Sequence, residues 1–191
     1  KTLNDRLSLM VDVFKEKRTG IFLLRASIPM YLGLNSLPWG NLGVVENKGF
    51  DATLEYSGQI GNVGVSVRGN ITYNKDKILE NDQPDQLYPW MNRRGHNILG
   101  RWGYIAEGLF TSQEEIDDSP VPGDRAQVMP GDIKYSDLNG DGLINNYDRT
   151  WIGRGDVPST VFGFGFNIAY KRFNLGNLFT RQPGADIMMQ G

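Results

Sequence analysis

The chain has 191 residues, enough for one domain with a sizeable core. Lys and Arg number 20 against 22 acidic residues, and the net charge of -2 lacks the basic excess of a nucleic-acid binder, so no nucleic acid is expected as a partner. With no Cys and only one His, His96, the sequence excludes disulfide scaffolds, thiolate nucleophiles, cysteine zinc sites and multi-histidine metal centres.

Near the start, Leu7, Leu9, Val11 and Val13 alternate with Ser8, Met10, Asp12 and Phe14, which predicts a strand over 6–17. A long connection, 18–47, follows. The next strand is expected over 48–57, where Phe50, Ala52, Leu54 and Tyr56 alternate with Asp51, Thr53, Glu55 and Ser57. A tight turn at 58–61 leads to a strand over 62–75, with Val63, Val65, Val67, Ile71 and Tyr73 on one face and Ser66, Arg68, Asn70 and Thr72 on the other. Segment 76–159 differs in composition and holds Pro84, Pro89, Pro120, Pro122, Pro130 and Pro158. It contains an expected strand from Gly103 to Phe110 and a short helix opened by Ser112, whose Ser112-Gln113-Glu114-Glu115 run fits a capping box. Phe162, Phe164, Phe166, Ile168 and Tyr170 then predict a strand over 160–171, turned at Arg172-Phe173 into a last strand over 174–181. A helix repeats at 3.6 and does not tolerate 24 Gly, so this alternation means strands.

Mean hydropathy is -0.40, and no apolar run approaches the ~20 residues of a membrane helix. Barrel strands hide their apolar residues by alternation, so a membrane protein stays open. Three features favour one. The expected strands are long, Tyr56, Tyr73, Phe162 and Tyr170 fall near strand ends as interfacial girdles do, and short and long connections alternate along the chain. The expected fold is all-β, an antiparallel transmembrane β-barrel segment with long extracellular loops. Five strands cannot close a barrel, since the smallest needs about 8. Lys1 and Gly191 do not read as natural boundaries, so the chain is expected to be part of something larger. The organisation is 1–75, barrel strands with one long external loop; 76–159, a large extracellular excursion; and 160–191, barrel strands.

The sharpest motif is Asp137-Leu138-Asn139-Gly140-Asp141-Gly142-Leu143-Ile144-Asn145-Asn146-Tyr147-Asp148. It follows calcium-loop grammar, with oxygen donors at Asp137, Asn139 and Asp141, a turn-forming Gly142, the Leu143 carbonyl, Asn145 and Asp148. Calcium is the implied cation. Asp148 is a shorter arm than the usual Glu, no helix precedes the loop, and Asp, Asn and Gly also build metal-free Asx-turns. Arg154-Gly155-Asp156 reads as a chain break rather than an adhesion motif, and His96 beside Arg93 and Arg94 has no nucleophile to serve, so no catalytic residue is expected. Trp39, Trp90, Trp102 and Trp151 fall outside the five strands. The first three are candidates for stacking on a sugar or anchoring a peptide, against ordinary packing within large loops.

Four stretches carry a family resemblance. Asn41-Leu42-Gly43-Val44-Val45-Glu46-Asn47-Lys48-Gly49-Phe50-Asp51, Trp102-Gly103-Tyr104-Ile105-Ala106-Glu107-Gly108-Leu109-Phe110, Pro130-Gly131-Asp132-Ile133-Lys134-Tyr135 running into the Asp137–Asp148 loop, and Pro158 through Leu175 resemble, in order and spacing, the SusC/RagA family of TonB-dependent outer-membrane receptors of the Bacteroidetes. The resemblance covers essentially the whole chain, as the C-terminal part of the barrel. Arg172 and Asn174 stand where the family commonly has Gly and Asp, and 176–183 is atypical of its next strand.

The resemblance implies a Gram-negative outer-membrane location and import of oligosaccharides or peptides, with a SusD-like surface lipoprotein and TonB as partners and outer-membrane lipid around the wall. The plug, the TonB box and the final aromatic strand are not in this stretch, so transport is expected of the parent protein. The chain is expected not to be an enzyme. A rival reading from another class is a secreted, calcium-stabilised β-sandwich that binds carbohydrate.

Overall fold

A computed structural model describes residues 6–123 and 125–187. The outer ends of the expected first and last segments, 1–5 and 188–191, lie outside the described residues. The chain is β-rich, with strands β1 (Leu7–Leu24), β2 (Trp39–Ile60), β3 (Val63–Glu80), β4 (Arg101–Gly103) and β5 (Ala106–Leu109). Helix α1 (Gln113–Asp118) follows, then β6 (Val121–Pro122), β7 (Ile133–Tyr135), β8 (Leu143–Ile144), β9 (Thr150–Gly153), β10 (Thr160–Tyr170) and β11 (Phe173–Arg181). Residues cluster into two compact units, one of Lys1–Arg18, Val45–Lys77 and Gly155–Gly191, the other of Thr19–Val44 and Ile78–Arg154.

The long strands form one five-stranded antiparallel sheet in the order β1-β2-β3-β10-β11. Tight two-residue turns close its hairpins, at Gly61-Asn62 and Lys171-Arg172. Each opens on a positive φ, 59° at Gly61 and 55° at Lys171, as the right-handed twist of flanking strands requires. Lysine holds this conformation against its Cβ, whereas glycine does so freely.

Register fixes the faces of the first unit. Phe162, Phe166, Ile168 and Tyr170 of β10 stand opposite Ile71, Val67, Val65 and Val63 of β3, and Phe164 stands opposite Gly69. On the other flank Tyr170, Ile168 and Phe164 oppose Phe173, Leu175 and Phe179, and the Phe164 and Phe179 rings stack at 4.9 Å. The alternate positions make a polar, small-residue face, where Gly163, Gly165 and Asn167 oppose Asn70, Arg68 and Ser66. Arg68 extends this face to β2 by an ion pair to Glu55 at 3.1 Å. β11 keeps the pattern less cleanly, since Leu178 sits on the polar side opposite Gly165.

This sheet has no apolar core. The buried hydrophobic residues among those described are Phe110, Ile116, Val121 and Ile144, all in the second unit, while Phe164 is 49% exposed, Val67 43% and Phe173 81%. At about 1.5–3 kcal/mol for each large apolar side chain taken out of water, such a face needs a covering medium.

The second unit is held by short pieces. β4 pairs with β9, β5 with β7, and β6 lies parallel to β8. Phe110, Ile116 and Val121 pack together with Val128 as a small core. Ser112 caps α1 by accepting the Glu115 N–H at 3.2 Å. The other half of the expected capping box is displaced by one residue, since the Glu115 carboxylate takes the Thr111 N–H and hydroxyl. Those bonds, with Lys134 at 3.0 Å, hold its pKa down at about 2.

Three expectations change. The first three strands run on to Leu24, back to Trp39 and on to Glu80, because a backbone ladder continues where side chains have stopped alternating. The connection expected at 18–47 therefore shrinks to 25–38. The strand expected from Gly103 to Phe110 breaks at Tyr104-Ile105 into β4 and β5, which pair with different partners.

Candidate functional site: the Asp137–Asp148 loop and its aromatic neighbours

Asp137, Asn139, Asp141 and Asn145 of this loop turn their oxygens back onto nearby N–H groups. Asp137 Oδ1 accepts from Gly140 N–H at 2.7 Å and Oδ2 from Gly142 N–H at 2.8 Å. Gly140 and Gly142 hold positive φ, 72° and 81°, which lets the chain wrap the carboxylate. Asp141 accepts the Leu143 N–H at 2.9 Å and the Asn139 side-chain amide at 2.8 Å, and these bonds lower its pKa, the amide most. Asn145 caps the short turn 146–148 by accepting the Tyr147 N–H at 2.8 Å.

Asp148 is the clamp. It is fully buried, and its two oxygens take the Leu138 N–H at 3.0 Å and the Asn145 N–H at 2.8 Å, tying the loop's start to its end. Among the described residues no three His, Cys, Asp or Glu side chains gather as a metal group. Asp137, Asn139, Asp141 and the Leu143 carbonyl supply hard oxygen donors of the type calcium takes, and Asp148 secures the loop from within.

The loop abuts an aromatic group. Tyr88 stacks on Trp90 at 4.7 Å and meets Tyr147 edge-on at 6.0 Å, while Trp90 Nε1 donates to the Tyr147 carbonyl at 2.7 Å. A second group forms where β4 faces β9: Trp102 stands opposite Trp151, and the His96 ring lies 5.4 Å from Trp102 and 5.5 Å from Trp151. The Arg93 guanidinium sits 5.4 Å from the Trp102 ring, and Trp151 Nε1 donates to Asn97 at 2.8 Å. Trp39 opens β2 rather than lying in a connection, stacks on Phe22 at 5.2 Å and stays 59% exposed. The three candidate tryptophans are thus not one site. Trp90 adjoins the loop, Trp102 belongs to the His96 group, and Trp39 presents an open ring elsewhere. Tyr88, Tyr147 and His96 escaped sequence reasoning as neighbours of these rings. Tyr147 lies inside the loop motif itself, the one available hint.

No protein-family model matches the chain. It is 31% identical over 182 residues to TonB-dependent receptor P26 of Formosa agariphila, covering 90% of this chain and 18% of that protein. It is 27% identical over 200 residues to TonB-dependent receptor P3 of the same organism, covering 97% of this chain and 19% of the relative. The chain therefore spans about a fifth of the length of the curated relatives it matches. Among solved structures, the RagAB peptide transporter aligns with a TM-score of 0.62 at 19% identity, over 95% of this chain and 20% of that one. The RagAB peptide importer in its open-open state gives 0.64 at 20% identity, over 95% and 19%. The five-stranded sheet with one apolar face thus has the fold of a stretch of barrel wall, and the chain belongs with the TonB-dependent receptors, matching a segment of their length.

Proposed function

We propose that this segment forms part of the wall and external loops of an outer-membrane importer that takes up oligosaccharides or peptides, working with a SusD-like surface lipoprotein and driven through TonB by the parent receptor. One observation carries the membrane reading: the β3-β10-β11 apolar face is exposed, has no partner sheet among the described residues, and backs onto a face of Gly, Ser, Asn and Arg. Lipid suits the first face and a wet lumen the second. The secreted sandwich reading requires a second large sheet, whereas the other sheets among the described residues have two strands each. RagAB, a peptide transporter, supports the peptide alternative, and the resemblance to the wider family supports oligosaccharides. Trp39 retains the open ring on which either ligand would stack.

Successive connections of an antiparallel sheet fall at alternate strand ends. The turns at 61–62 and 171–172 therefore share one membrane side, and 25–38 and 81–159 share the other. Short turns face the periplasm in outer-membrane barrels, which puts both long connections outside the cell. Epitope tags at Asp118 and Gly61 of the parent receptor test this in intact cells. Antibody is expected to reach the first and to miss the second until the outer membrane is permeabilised. The reverse pattern overturns the orientation, and access to both overturns the membrane reading.

The loop supports a second proposal, that Asp137, Asn139, Asp141, Leu143 and Asn145 hold calcium in the parent receptor while Asp148 braces them. The donor chemistry and the wrapped chain around Gly140 and Gly142 support it. Calorimetric titration should show calcium affinity falling at least tenfold in Asp141→Ala. Equal affinity in wild type and variant contradicts it.

A further inference from the structure

The apolar face of the first unit changes character beyond the ring pair Phe50–Tyr73, whose centroids are 5.9 Å apart. Further along, Glu46 of β2 accepts Lys15 of β1 at 3.0 Å and Lys77 of β3 at 3.3 Å. Lys48 stands between Phe50 and Glu46 on β2, and Lys75 stands between Tyr73 and Lys77 on β3. The two contacts bracket them, so strand alternation sets Lys48 and Lys75 side by side on this same face, both exposed. Lys17, also exposed, lies two residues beyond Lys15.

Among the described residues, five lysines thus share this part of the face with one carboxylate, Glu46, which is only 9% exposed and already holds two of them. The strands' nearby acids, Glu16, Asp51 and Asp76, occupy alternate positions and point to the opposite face. Asp156 and Asp186, in the flanking segments, are already engaged in interactions. Like charges on neighbouring strands repel, so Lys48 beside Lys75 weakens the sheet unless an anion joins them.

We propose that Lys15, Lys17, Lys48, Lys75 and Lys77 form a binding patch for the phosphate groups of an outer-leaflet lipid headgroup. The inference rests on the membrane orientation proposed above, under which this end of the strands lies at the outer surface. The patch continues the apolar face of Val65, Val67 and Tyr73, so it looks toward lipid rather than toward the lumen where substrate passes. Aromatic rings mark headgroup depth in membrane proteins, and the ammonium groups lie just beyond them. Lysine stems can cover apolar surface while their charged heads reach the phosphates. Each lysine near an anionic surface raises affinity by about fivefold.

The test uses the parent receptor in detergent, titrated with fluorescent phosphorylated lipid A, with dephosphorylated lipid A and inorganic phosphate as comparison probes. Wild type is expected to bind the phosphorylated lipid in preference to both. Lys17→Gln/Lys48→Gln/Lys75→Gln should lose affinity by about a hundredfold, at roughly fivefold per charge. Glu46→Gln removes the patch's one acid and should bind about fivefold more tightly, a gain that a purely structural role for Glu46 does not produce. Unchanged binding in the triple variant overturns the proposal. So does equal binding of dephosphorylated lipid A, or saturation by inorganic phosphate at the same concentration. Failure of the membrane reading shows separately, as a reversed tag pattern in cells, whereas failure of the lysine patch leaves that pattern intact.

Discussion

Residues 1–191 expressed alone are expected to aggregate in detergent-free buffer and to stay dispersed only in detergent or lipid. Val63, Val65, Val67 and Ile71 of β3 and Phe162, Phe164, Phe166 and Ile168 of β10 line one uncovered face. Even at half the usual burial value, moving those side chains out of water is worth on the order of 10 kcal/mol, as much as the whole stability of a typical domain. β1 and β11 also end the sheet, each with one edge unpaired among the described residues, and such edges recruit other chains. Size-exclusion chromatography with and without detergent reads the outcome. A monodisperse, cooperatively melting monomer in plain buffer contradicts it and favours the soluble sandwich.

Asp148→Ala is expected to open the 137–148 loop. The substitution strips two N–H groups, of Leu138 and Asn145, of their acceptor at a buried position. At about 1–3 kcal/mol for each of the two unsatisfied donors, the loss is about 2–6 kcal/mol, enough to unfold a local element. Hydrogen exchange in the parent receptor should show faster exchange across 137–148 and unchanged protection in the β10–β11 hairpin. Asp148→Asn, which keeps one acceptor oxygen, should show a smaller effect. Full protection of the loop in Asp148→Ala contradicts the clamp.

The strand centres are legible because, on the membrane reading proposed above, two solvents act on them at once. Where Phe50 to Tyr56, Val63 to Tyr73 and Phe162 to Tyr170 stand between an apolar and a polar surroundings, every second residue must change type, and period two follows. That pressure ends with the apolar zone. Residues 18–24 and 39–47 stay hydrogen-bonded in β1 and β2 without the alternation that announces a strand, so the strand ends were misjudged. The break at Tyr104-Ile105 was hidden for a related reason: Gly103 to Phe110 has apolar residues enough for one strand, and only long-range pairing with β7 and β9 divides it.

The loop motif was legible as a local pattern of turn-forming oxygens. Its use of those oxygens was not, because Asp148 is committed to Leu138 and Asn145 by the closure of the loop rather than by spacing. The His96 group was likewise out of reach. It unites residues 93, 96, 102 and 151, which only the β4–β9 pairing brings together.

One face of this sheet is expected to meet lipid and the other to meet water. The chain has no Cys, so single cysteines can be placed at will, in a parent receptor freed of any others. Val65→Cys, Val67→Cys and Ile71→Cys on one face, and Ser66→Cys, Arg68→Cys and Asn70→Cys on the other, would each carry an environment-sensitive fluorophore in reconstituted vesicles. A quencher attached to the lipid chains should extinguish the odd-numbered labels and spare the even-numbered ones, which a water-soluble quencher should reach instead. Equal quenching at adjacent positions, or the opposite alternation, would contradict the account.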